Sequence, residues 1–100
     1  MANILTKNTS AQTSADIVIS AATSFSLDGS LDGGDAVEIR KKAASGTYAV
    51  MTQRTGYGIT IESVLTNTAR NIVISPPDSG SITVQVYKPA SAVACGVDQD

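Results

Sequence analysis

"SITVQVY", residues 81–87, alternates apolar and polar side chains at every step. Ile82, Val84 and Val86 take one side, and Thr83, Gln85 and Tyr87 take the other. A period of two is the mark of a strand with one face buried and one face in water. Branched side chains reinforce it, because they fit a pleated surface.

The same pattern recurs along the chain. "ADIVIS", residues 15–20, sets Ile17 and Ile19 against Asp16 and Val18. "SFSLD", residues 24–28, places Phe25 and Leu27 on one face. In "SLDGGDAVEIRKKAASGTYAVM", residues 30–51, Val37 and Ile39 oppose Glu38 and Arg40, and Tyr48 and Val50 are expected to resume the inward face. Gly46 suits the left-handed position of a short hairpin loop. "ITIESV", residues 59–64, alternates Ile59 and Ile61 with Thr60 and Glu62, and "IVIS" follows at residues 72–75. Between the strands lie "DGSLDGGD", "QRTGYG", "TNTARN" and "PPDSG", rich in the glycine, proline, asparagine and aspartate that turns need.

Short strands at regular spacing, each with one inward face, predict an all-β antiparallel β-sandwich, immunoglobulin-like or jelly-roll. One hundred residues suit a single domain. Its expected body spans 15–89, with a polar N-terminal arm over 1–14 and an irregular C-terminal tail over 90–100.

Composition narrows the function classes. Hydrophobic residues make up 42% and charged residues 16%, which is apolar enough to fold and too weakly charged for disorder. A net charge of −2 and a pI near 4.8 provide no long-range attraction to nucleic acid. No apolar run is long enough to predict a membrane span, and the first residues lack the basic-then-apolar order of a signal peptide. Cys95 is the single cysteine, so no internal disulfide forms. An "NTS" match at Asn8 is read as chance.

Catalysis is poorly supplied. The chain has no histidine, so its serines lack the commonest base, and Cys95 lacks the partner that would make it a nucleophile. Glu38 and Glu62 fall at outward strand positions. The expectation is a non-enzymatic protein without cofactor. Asp28, Asp32 and Asp35 are the best metal candidates, because calcium takes oxygen ligands. Their spacing departs from the calcium-loop pattern, so they read as a solvated turn. Arg40, Lys41 and Lys42 read first as a hairpin end whose charges block edge-to-edge pairing, and second as a contact for an acidic partner surface. Ile4 and Leu5 form an apolar pair in the expected arm and are the other candidate partner contact.

With these residues in view, the layout resembles the small β-sandwich proteins of tailed-bacteriophage virions. "GDAVEIRKKAASGTYAVM" corresponds to their central strand pair and "GSITVQVY" to their closing strand. The resemblance implies a structural role in the virion, as a head decoration (cement) protein on the capsid or as a tail accessory protein. It implies as partners the major capsid protein or another virion protein, and copies of the chain itself. The rival is an immunoglobulin-like surface-binding module that engages glycans. Four aromatics and no tryptophan weigh against that sugar platform.

The face assignment of residues 81–87 is testable. Val84→Asp places an unpaired charge in the core and is expected to destabilise by several kcal/mol in urea unfolding. Thr83→Asp, on the outer face, is expected to cost far less; equal losses would refute the assignment.

Overall fold

The structure, a computed structural model, describes residues 2–54, 60–76 and 80–100. Within them every regular element is a strand. These are β1 (Ala2–Asn8), β2 (Gln12–Thr13), β3 (Ile17–Ile19), β4 (Thr23–Gly29), β5 (Val37–Lys42), β6 (Tyr48–Val50), β7 (Thr52–Arg54), β8 (Thr60–Glu62), β9 (Val64–Leu65), β10 (Asn71–Ile74), β11 (Ile82–Lys88) and β12 (Cys95–Gln99). The expected turn at residues 55–58, the inward Ile59 and side chain of Ile61, and residues 77–79 of "PPDSG" lie outside the described set.

Two sheets pack face to face. The first has the order β1-β12-β4-β10. In the second, β11 lies between β5 and the β2/β3 pair, and β6 and β9 share the far side of β5. The pairing is nested: β1 with β12, β2 and β3 with β11, β4 with β10, and β5 with β6, all antiparallel. The lateral pairs β12·β4 and β11·β5 then complete the sheets. A long hairpin rolled up in this way is a jelly roll. The constant-type immunoglobulin arrangement puts the first and last strands in different sheets, whereas here they are antiparallel neighbours in one sheet. The β7–β8 hairpin leaves the edge of the second sheet between β6 and β9, where Ser63 donates its N–H to the Met51 carbonyl.

The alternation seen in the sequence builds the core. Phe25, Leu27, Val97 and Ile74 from the first sheet meet Ile19, Val37, Ile39, Leu65, Ile82, Val84 and Val86 from the second. Removing each of these side chains from water contributes about 1.5–3 kcal/mol before entropy is subtracted. Lys88 continues the inward phase of β11 and is fully buried. Its ammonium donates to the carbonyls of Asn8 and Ser10, and so closes one end of the sandwich. Without those acceptors a buried ammonium would be strongly destabilising.

Three expectations are corrected. Residues 1–14 are not an arm, because β1 is a strand of the first sheet and Leu5 is 4% exposed within the core. Residues 90–100 are not a tail, because β12 lies inside that sheet with Cys95 and Val97 fully buried. Tyr48 and Val50 do not face inward: they stand opposite Lys42 and Arg40 on the outer face of the second sheet. The five-residue connection after Lys42 sets this register, with Gly46 at φ 89°. The inner-phase pair Lys41 and Ala49 is exposed.

β1 crosses β12 with two irregularities, and at one of them Thr6 and Lys7 face the single residue Gly96. A Cβ on Gly96 would stand 2.5 Å from the Leu5 carbonyl oxygen and 2.8 Å from the Lys7 nitrogen. Gly29, at φ 89°, meets the Ala94 carbonyl oxygen even more closely. Such bulges bend an edge strand and blunt it against pairing with other chains. Gly96→Ala is therefore expected to cost about 3 kcal/mol. Amide exchange should accelerate first in β1; unchanged protection there would contradict the crossing.

Candidate functional site

The second sheet turns an aromatic and charged face to solvent. From β11 come Thr83, Gln85 and Tyr87, from β5 Glu38, Arg40 and Lys42, and from β6 Tyr48 and Val50. Asp16 joins them through a bulge. Thr13 pairs with Tyr87 and Ile17 with Val84, so three residues on one strand (14–16) face two on the other (85 and 86). Ser14 fills the break: its N–H donates to the Val86 carbonyl and its hydroxyl accepts from the Val86 N–H. The extra residue re-aims Asp16 over the sheet, as bulges commonly do.

Asp16 is the centre of a small network. Its Oδ1 accepts from the Tyr48 hydroxyl and, at 3.0 Å, from Gln85 Nε2. Its Oδ2 lies 3.9 Å from Lys42 Nζ. Four segments of chain thus meet at one carboxylate. The Tyr48 hydrogen bond holds the Asp16 carboxyl below the usual range against the opposing effect of desolvation, and Gln85 and Lys42 act in the same direction as Tyr48. The same bond pushes the Tyr48 phenol up, because ionisation would set two negative charges together.

A second group lies alongside. Arg40 stacks on Tyr87, its guanidinium carbon 4.3 Å from the ring centroid. Its Nε and Nη2 both donate to Glu38 Oε1, at 2.9 and 2.6 Å. The network and the stacked pair share one sheet face.

The outer face of the first sheet is different in kind. Asn3 donates to Asp98, Asn71 donates to Ser26, the Ser24 hydroxyl bonds Asn71, and Lys7 sits 3.5 Å from Asp28. Its polar groups are mostly short, and several pair with one another.

The residues singled out in the sequence separate into these surroundings. Strand alternation divides the basic triplet: Arg40 and Lys42 share the outer face, while Lys41 turns to the opposite side. There it borders an open groove of about 490 Å³ with Met51, Gln53, Pro76 and Ile82. Leu5 is core, and Ile4 is half-buried and packs against it. Asp28, Asp32 and Asp35 do not converge on one point. Asp28 pairs with Lys7, and the Asp32 carboxylate accepts from the Ala92 N–H. Among the described residues no group of three acidic or cysteine side chains is placed to hold a metal. That loop is held instead by Asn67, whose amide bonds both the N–H and the carbonyl of Leu31, and by Arg70, which donates to the Gly29 carbonyl. Cys95 is buried 3.5 Å from the Ser91 hydroxyl.

No family model, no curated protein and no solved structure matches this chain.

The central carboxylate has a pH signature. A lowered carboxyl value adds stability at pH above the ordinary carboxylate range and loses it as the pH falls through the lowered value. The raised phenol acts at the other end: its contribution is complete below the ordinary phenol value and fades as the pH climbs through the raised one. Tyr48→Phe is expected to move the Asp16 midpoint up toward the ordinary range, followed by carbon NMR of its carboxyl. An unmoved midpoint would mean that the hydroxyl does not bond Asp16 in solution.

Proposed function

We propose that the chain is a non-enzymatic structural protein of a bacteriophage virion, most simply a decoration (cement) protein that adheres to the lattice of the major capsid protein. The observation that carries the reading is the nested jelly roll, an architecture that recurs in viral capsid and lectin domains. Fold alone does not dictate function, so the surfaces matter as well. The bulged β1 and the three-residue β3 and β6 offer poor templates for edge-to-edge growth. Edges of that kind favour packing through the faces over edge-to-edge growth.

The chemistry of the described residues supports the non-enzymatic part. Histidine is absent from the sequence, Cys95 is sealed in the core, and Asp28 and Asp32 are engaged separately. A tail accessory protein would share all of these features. A host-adhesion module is favoured by one observation of its own, the gathering of Tyr48 and Tyr87 on one sheet face.

Because β1 and β12 are integral strands, attachment is assigned to the folded body rather than to terminal arms. The intact chain is expected to co-sediment with phage head particles stripped of their outer proteins, saturating at a fixed ratio of copies to capsid protein. Binding to tail complexes instead of heads would move the protein to the tail. Failure to bind either particle would refute the virion reading.

A further inference from the structure

We propose that the outer face of the second sheet is a binding platform for a short, neutral saccharide chain. The inference goes beyond the virion reading and does not rest on it. Four aromatics in the chain look too few for a sugar site, but their placement reverses that impression. Phe25 is in the core, and Tyr57 lies outside the described residues. Both remaining tyrosines, Tyr48 and Tyr87, stand on this one face.

Saccharides need two things from a protein surface. The C–H-rich side of a pyranose ring packs on the face of an aromatic or guanidinium plane, and its hydroxyls need acceptors and donors held in place. Tyr87 and Arg40 supply stacked planes. Tyr48 supplies a further ring, fixed by its hydroxyl on Asp16. Rings held before the ligand arrives lose less freedom when it binds.

The polar groups are half used. Asp16 spends Oδ1 on Tyr48 and Gln85, while Oδ2 faces Lys42 at 3.9 Å. Glu38 spends Oε1 on both contacts from Arg40. Among the described residues, Asp16 Oδ2, Glu38 Oε2 and the Gln85 amide oxygen remain as acceptors on one face, with Lys42 as a donor. The outer face of the first sheet, where Asn3, Asp98, Ser26 and Asn71 pair among themselves, carries no aromatic ring among its described residues.

Charge selects the ligand class. Glu38 offsets Arg40, and Asp16 offsets Lys42, so the face carries no net charge to draw an anionic or cationic polymer. Hydroxyl-rich, neutral ligands match that balance. Length follows from the register. Tyr87 stands level with Glu38 and Tyr48 with Lys42, four positions along β5 or about 13 Å. That span suits several linked sugars rather than one.

The test uses the isotope-labelled full chain, titrated by NMR with maltohexaose, cellohexaose, chitohexaose and a linear mannan fragment. At least one is expected to shift the amides of Arg40, Tyr48, Gln85 and Tyr87 saturably, with millimolar affinity. Tyr87→Ala should weaken that binding about ten-fold, the loss of one stacking ring, with the rest of the spectrum unchanged. Gln85→Ala provides a second variant that removes a polar contact without touching the rings. Val73→Ala, on the outer face of the first sheet, should leave binding as it was. Silence across all four sugars, or shifts confined to another face, would each overturn the proposal. None of these outcomes alters sedimentation with particles, so the two readings fail separately.

Discussion

The pairing of the first strand with the last is the constraint on which this fold depends. β12 lies between β1 and β4, and each neighbour approaches it closely at a glycine. At Gly96 the backbone of β1 comes so near that no side chain fits. At Gly29, on β4, the Ala94 carbonyl leaves equally little room. Those two positions let three strands lie side by side despite the bulges in β1. Lys88 completes the closure from the second sheet, its ammonium gathering the carbonyls of Asn8 and Ser10 at the turn after β1. Nested pairing, tight glycine crossings and a buried cationic cap together make the termini part of the body.

The sequence is most informative where strands are regular. β11 alternates cleanly throughout and β5 does so over Val37–Arg40, and there the inward residues are the ones buried. Lys88 follows Val86 in the same phase, but its charge argues for the surface, and the burial is not read from the sequence. β1 was not legible, because its bulges break the period of two that a strand needs to be recognised. β12 hides for another reason: "CGVDQ" contributes only two sizeable apolar residues, and the glycine between them serves a crossing rather than a turn. Tyr48 misleads because its phase depends on the register of a five-residue connection, which alternation alone does not encode.

The sheet-face network lies further from sequence reasoning. Asp16, Lys42, Tyr48 and Gln85 are scattered along the chain and meet only because a single extra residue at 14–16 lifts the carboxylate over the sheet. The basic triplet shows the converse. Arg40, Lys41 and Lys42 are adjacent in the chain yet do not form one patch, because a strand sends neighbours to opposite faces. Proximity in sequence and proximity in space part company in β structure, and charged clusters in strands need that correction before they are read as sites.

Nested pairing also orders events in time. The central hairpin of β5 and β6 closes over a short connection, whereas β1 must wait for residues 95–99 before it has a partner. Closing so long a loop costs entropy before any contact compensates for it, and folds dominated by distant pairings acquire structure in milliseconds to seconds. β1 is therefore among the last strands to be placed, and the first sheet is completed only once residues 95–99 are available to pair with it. The molecule matures from its centre outward, and its two terminal strands arrive together.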